Sequence, residues 1–109
     1  MSKFIIKKSI DEQYYFVLKA NNSETILTSE MYTQIHSLKN WIQSVRENSY
    51  YDSQYNRRIS SDNKYYFTLK AKNGEVIGVS ETYNSEQAME NGIQSVKENA
   101  PLASIEPEI

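Results

Sequence analysis

The chain is one unit of about fifty residues written twice. Displaced by 51 positions, Tyr14–Ser49 falls on Tyr65–Ala100. Tyr14-Tyr15-Phe16 recurs as Tyr65-Tyr66-Phe67, Leu18-Lys19-Ala20 as Leu69-Lys70-Ala71, and Ile42-Gln43-Ser44-Val45 as Ile93-Gln94-Ser95-Val96. Internal repetition at this period means that each copy is one supersecondary unit whose apolar face needs a neighbour. The whole chain has 109 residues. A single copy would bury only ~60% of its unfolded surface. One domain over residues 1–109 is therefore expected, with repeats at about 3–54 and 55–106 sharing a core.

Within each copy the apolar period changes once. Phe4-x-Ile6 starts a first strand. Phe16, Leu18 and Ala20 then alternate with Tyr15, Val17 and Lys19, and Phe67, Leu69 and Ala71 with Tyr66, Thr68 and Lys70. That alternation places the two sets on opposite faces of strands. Asn73-Gly74 reads as a tight turn with φ > 0. In the first copy Asn22 is the better left-handed residue and Ser23 the poorer one. Third strands are expected through Thr25–Thr28 and Val76–Val79. Ile35, Leu38, Ile42 and Val45, and then Met89, Ile93 and Val96, recur at helical spacing. Thr33 and either Asn84 or Ser85 are candidate N-caps. Asn48 and Asn99 stand where a left-handed residue would end a helix, and Pro101 blocks continuation. Each copy closes with a short extended piece, Tyr50–Gln54 and Leu102–Ile105. The Tyr-rich segment Tyr50–Arg58 should be extended and paired into the sheet.

The expected architecture is α+β: one mainly antiparallel sheet, both helices on one face, and approximate twofold symmetry. Trp41 and Gly92 occupy equivalent helix positions. The simplest account of their mismatch has Trp41 buried between the helices, filling the space at Gly92.

Leu69-Lys70-Ala71-Lys72-Asn73-Gly74-Glu75, Ser80-Glu81-x-Tyr83-x-Ser85 and Glu90-Asn91-Gly92-Ile93, continuing to Asn99-Ala100-Pro101, strongly resemble the YegP-like family of small prokaryotic repeat proteins of unknown function. The first copy departs from that pattern with Ser23 for the turn glycine, Trp41 for the helix glycine, and Ser49-Tyr50 for Ala-Pro. The resemblance implies two β-β-β-α-β motifs in one sheet that exchange their last strands, as homodimers in single-repeat relatives and internally in a tandem chain. It implies no activity.

Few kinds of chemistry fit the composition. There is no cysteine, which rules out disulfides and thiolate metal sites and suits a reducing, cytoplasmic setting. The apolar run Phe4-Ile5-Ile6 is too short for a secretory or membrane segment. His36 is the lone histidine, is replaced by Gln87 in the second copy, and reads as an ordinary helix residue. No cofactor or metal site is indicated: no loop has the calcium pattern, and three glycines at 74, 78 and 92 cannot build a phosphate loop. Glu30 and Glu81 could serve a hydrolase if the fold paired them. The simpler reading is a strand end in which Ser29, Ser80 or these acids bond free amides. Asn40, Gln43, Ser44 and Glu47, copied as Asn91, Gln94, Ser95 and Glu98, read as the wet side of each helix.

The candidate binding face is the side of the sheet away from the helices. It should display Tyr15 and Lys19 with Tyr66 and Lys70, joined by Lys7 or Arg58. Aromatic rings interleaved with cations on an open sheet are how single-strand binders stack bases and contact phosphates. The net charge of −2 weighs against nucleic acid. The leading expectation is a non-enzymatic, monomeric interaction module that takes a protein or small ligand on an exposed sheet face or edge. Single-stranded nucleic-acid binding through the Tyr/Lys face is the alternative, and hydrolysis by Glu30 and Glu81 the third.

Overall fold

A computed structural model describes residues 1–107. The first copy contributes β1 (Lys3–Lys8), β2 (Tyr14–Lys19), β3 (Thr25–Thr28) and α1 (Ile35–Asn48). The second contributes β4 (Tyr55–Ile59), β5 (Tyr65–Lys70), β6 (Val76–Val79) and α2 (Glu86–Asn99), followed by β7 (Ser104–Pro107). These strands form one sheet in the order β4-β5-β6-β3-β2-β1-β7, in which β1 and β7 are parallel and the other neighbours antiparallel. The copies meet at its centre, where Thr28 of β3 pairs with its own equivalent, Val79 of β6. An antiparallel pair through equivalent residues is a local twofold axis normal to the sheet.

Alternate strand residues build the core. Phe4, Ile6, Phe16, Leu18, Phe67, Leu69 and Ile77 join Leu38, Ile42, Val45, Met89, Ile93 and Val96 from both helices in one buried cluster, so both helices cover the same face. Each helix reaches into the other copy, α1 over β5 and β6 and α2 over β3. This shared burial, at ~25 cal/mol per Å² of apolar surface, is what one copy alone would lack.

The turns differ from expectation in one consistent way. In the hairpins β1–β2, β2–β3, β4–β5 and β5–β6 the left-handed residue is the last of the loop: Glu12, Ser23, Asn63 and Gly74, with φ of 64°, 70°, 64° and 88°. Each loop is closed by paired backbone bonds. In the last of them Ala71 N–H donates to Glu75 O at 2.8 Å and Gly74 N–H to Ala71 O at 2.9 Å. The result is a three-residue turn followed by a bulge. Asn22 and Asn73 are not left-handed. Their side-chain oxygens accept from the amides of Glu24 (3.1 Å) and Glu75 (3.0 Å), an Asx turn that holds the loop shape.

Asn48 and Asn99 are not left-handed either. Each donates its side-chain amide back to the carbonyl of Ser44 or Ser95, at 2.8 Å, while the helices run on into right-handed residues. At the helix starts Ser85 accepts from Ala88 N–H, whereas Gln34 holds the equivalent place before α1 with no side-chain cap, and Thr33 plays no part. Ile35 stands 42% exposed at that uncapped end rather than in the apolar stripe.

β7 crosses from the second copy to pair with β1 of the first. Shifted by the repeat period, Ser104–Pro107 becomes Ser53-Gln54-Tyr55-Asn56, which β4 already uses from Tyr55 onward. One segment cannot serve both as the last strand of one copy and the first of the next. Tyr50–Gln54 accordingly forms no strand. Asp52–Gln54 form a 3-10 turn whose Gln54 amide donates to Asn48 Oδ1 (3.2 Å) and Lys70 O (3.0 Å). The segment expected to be strand throughout is strand only from Tyr55.

Trp41 does not fill the space at Gly92. It is half-buried and stacks on Tyr32 of its own copy, with ring centroids 5.9 Å apart and planes at 20°. The space at Gly92 belongs to Tyr83, the equivalent of Tyr32: a Cβ there would lie 2.7 Å from Tyr83 Cζ. The same tyrosine thus meets a large ring in one copy and bare helix backbone in the other.

Candidate functional site

In a strand pair, residues directly opposite share a face. Lys3 pairs with Lys19, Ile5 with Val17 and Lys7 with Tyr15. Val17 pairs with Thr28, Thr28 with Val79, and Val79 with Thr68. Asn56 pairs with Thr68 and Arg58 with Tyr66. These residues alternate with the core set and lie opposite the helices. A single row, Asn56–Thr68–Val79–Thr28–Val17–Ile5–Glu106, crosses the whole sheet on this open face.

The four expected face residues, Tyr15, Lys19, Tyr66 and Lys70, are all on this face and all partly exposed. Lys7 and Arg58 both join them, each directly across from a tyrosine, and they are equivalents in the repeat. Tyr15 and Tyr66 are not neighbours. Two strands lie between β2 and β5, which run antiparallel to each other. Three strand spacings and four residues therefore separate the two positions, ~20 Å on the diagonal. Tyr15 shares its end of the sheet with Lys70, and Tyr66 with Lys19.

Among the described residues the strands carry five cations on this face, Lys3, Lys7, Lys19, Arg58 and Lys70, against one acid, Glu106, which Lys3 holds at 3.1 Å. Among the described residues that leaves seven Lys and Arg and twelve Asp and Glu elsewhere. A net-acidic chain therefore concentrates positive charge on one flat surface. Thr68 Oγ1 on β5 is buried without a hydrogen-bond partner among the described residues.

Glu30 and Glu81 do not form a pair. They follow Thr28 and Val79 in opposite directions from the axis. Four residues of strand rise hold them ~13 Å apart, outside carboxylate-pair range. Ser29 and Ser80 do the structural work there. Each accepts from a β2 or β5 amide (Phe16 or Phe67, 2.9 Å) and donates to the next carbonyl, at 2.8 and 2.7 Å. The polar helix stripe bonds within itself: Gln43 to Glu47 and Gln94 to Glu98, both at 3.3 Å. His36 is exposed on the first turn of α1.

One cleft lies outside the sequence expectations. Between α1, the segment after it and the β5–β6 turn is a space of about 590 Å³, lined by Trp41, Tyr50, Tyr51, Glu47, Lys72 and Asn73 among others. Tyr50 and Tyr51 are 64% and 53% exposed, and the Lys72 ammonium lies 6.0 Å from the Tyr51 ring centroid. The twofold-related cleft, lined by Gly92, Tyr83, Asn22 and Glu24, lacks these aromatics. The signal is present in the repeat: Trp41, Tyr50 and Tyr51 stand against Gly92, Pro101 and Leu102 across the 51-residue shift. Burial raises the Tyr32 phenol to about 12, helped by Glu30 and by Glu75 from the other copy. Burial raises Tyr83 likewise, helped by Glu81 and Glu24. Neither phenol is set up to lose its proton near neutrality.

A tandem β-β-β-α repeat closed into one seven-stranded sheet, with a bare cationic face, defines a class of small two-repeat α+β proteins. The chain belongs to the family described as Domain of unknown function (DUF1508), whose model matches residues 10–55 and 60–106, one copy each. It is 47% identical over 102 residues to the UPF0339 protein YegP of Escherichia coli K12, covering 94% of this chain and 93% of that one. A UPF0339 protein of Acinetobacter baylyi is 49% identical over 100 residues, covering 92% and 90%. The solution NMR structure of the E. coli protein superposes with a TM-score of 0.93 at 45% identity, covering 98% and 92% of the two chains. That of a UPF0339 protein from Shewanella oneidensis gives 0.91 at 42%, covering 97% and 90%. These relatives have no assigned function. Among the described residues no helix is long and apolar enough to cross a membrane.

Proposed function

We propose that the protein is a non-enzymatic binding module whose open sheet face takes single-stranded nucleic acid. The observation that supports this reading is the charge segregation: among the described residues the face carries five cations, with the one acid paired to Lys3, beside two tyrosines, in a chain of net charge −2. Net charge argues against a phosphate partner only where charge is spread evenly. Tyr15 and Tyr66 offer rings to bases at ~1–3 kcal/mol per stacked base, and the flanking lysines and arginine meet phosphates. The same reading expects a cytoplasmic monomer.

Fluorescence anisotropy with labelled oligothymidine and oligouridine at low ionic strength tests it. Engagement of three phosphates, by Lys19, Arg58 and Lys70, gives a log K against log salt slope of about −2.1. Lys19→Gln with Lys70→Gln should flatten that slope by about 1.4. Tyr15→Ala with Tyr66→Ala should weaken binding at every salt concentration. No binding at low salt, or binding indifferent to all four residues, rules the reading out.

A second reading rests on the aromatic cleft, where half-buried Trp41 and exposed Tyr50 and Tyr51 stand together in one copy only. It would hold a small ligand with a flat apolar face. Trp41 is the sole tryptophan, so its emission reports on this cleft directly. A ligand that shifts the emission in the parent, but no longer binds when Tyr51 is changed to Ala, supports it.

A further inference from the structure

The open face carries two half-sites related by the repeat and facing in opposite directions, the first of them flanked by Glu106 of β7. Lys7 across from Tyr15 is one, and Arg58 across from Tyr66 is its copy, related by the axis between Thr28 and Val79. The central row between them is Val17, Thr28, Val79 and Thr68, which carries no charge. A nucleic-acid strand has a direction. If one strand ran continuously from the first half-site to the second, it would approach the axis at one and leave it at the other. It could not make the same ring and phosphate contacts at both.

From this we infer that the face binds two single strands of opposite polarity, one on each Tyr–cation half-site, rather than one strand along its length. The inference rests on the nucleic-acid reading above and adds the form of the ligand. Two strands held ~20 Å apart on the diagonal, with an uncharged strip between them, match the separated arms of a fork or bubble. Protein symmetry mirrored in ligand symmetry is the rule for dimeric readers of duplex DNA, and a tandem repeat supplies it within one chain.

Calorimetric titration of the full chain with hexathymidine at low salt should give two oligonucleotides per chain. Tyr15→Ala and Tyr66→Ala should each reduce this to one, leaving the affinity of the remaining site within about twofold of the parent, while Tyr15→Phe and Tyr66→Phe keep two. A fork with one 5′ and one 3′ single-stranded tail should bind ~10-fold or more tighter than a single strand of the same total length, because the second arm then binds intramolecularly. One hexanucleotide per chain that needs both tyrosines, or a fork no better than a single strand, overturns the inference while nucleic-acid binding stands. No binding of any of these ligands overturns both.

Discussion

Leu27 fills the space left by its own equivalent, Gly78: a Cβ at position 78 would lie 2.6 Å from Leu27 Cγ and 2.7 Å from Cδ2. Symmetry brings the two positions together beside the axis on the helix side of the sheet, and two leucines would collide there. Gly78→Ala should destabilise by ~1–3 kcal/mol through overpacking, and Leu27→Ala by ~2–5 kcal/mol through the cavity it leaves. In the double mutant the added methyl enters the vacated space, so the combined loss should fall short of the sum by ~1 kcal/mol or more. Denaturant titration of the four variants checks this, and strict additivity would show that the two side chains do not share space.

Gly92 is held by a tyrosine rather than by a helix partner. Alanine is the better helix former by ~1 kcal/mol, yet Gly92→Ala should lower stability because Tyr83 must swing off the helix. Truncating Tyr83 first removes the obstacle, and in a Tyr83→Ala background the same substitution should stabilise by ~0.5–1 kcal/mol. Thermal unfolding of the single and double variants reads the change of sign. Trp41 makes its stack on a ring that is itself only half-buried. Trp41→Ala should therefore cost about 1–2 kcal/mol, less than the deletion of a fully buried aromatic.

The first copy holds two residues where the second has the better one. Ser23 sits at φ 70° where Gly74 sits at 88°, and Gln34 stands uncapped where Ser85 accepts from Ala88 N–H. Ser23→Gly should stabilise by ~1 kcal/mol by relieving a left-handed side chain. Gln34→Ser should add ~0.5–1 kcal/mol by capping α1. The sites are independent, so the two gains should add in a midpoint shift with unchanged m-value.

Acid should weaken the outer edge of the sheet. Arg57 on β4 bonds Glu90 Oε2 at 2.5 Å and Asp52 Oδ1 at 2.9 Å, and Lys97 reaches Asp52 at 3.1 Å. These bonds hold both carboxyls below their ordinary values of 3.8 and 4.5 and push the guanidinium up. Carboxylates with lowered folded-state values contribute stability above those ordinary values and lose it as pH falls through the lowered ones. The groups are largely exposed. Solvent screening then limits the effect to ~0.5–1 kcal/mol. Arg57→Met should cost that much at neutral pH and progressively less as pH falls below the ordinary carboxylate values, as a stability profile against pH would show.

Periodicity alone carries much of the fold. The apolar alternation places the four face residues on one side of the sheet, and the repeat places equivalent residues about an axis. It is silent on anything that depends on which copy a neighbour comes from. Gly92 reads as room for a large side chain, and only the packing shows that Tyr83 of the same copy takes it, while the complementary fit falls at Leu27 and Gly78. Asn22 reads as the left-handed residue because its side chain favours that conformation. In the fold the same side chain caps the loop, and Ser23 takes the positive φ. The sequence already sets Lys7 or Arg58 beside the tyrosines; strand register places both there and adds Lys3, a basic face that the net charge averages away.

The parallel pairing of β7 with β1 joins a strand made early to one made about a hundred residues later. Lys3 finds Ser104 as its partner, and Arg46 of α1 donates to Ala103 O at 2.7 Å on the way. During synthesis the outer edge of β1 therefore stays uncovered until β7 has left the ribosome, even though the strands beside it can already pair. Such an edge is a place where a partly made chain can pick up the wrong strand, including the same strand of a neighbouring nascent chain. β7 acts as a latch on the sheet, and a chain released before it emerges would keep most of its core and still present an open edge.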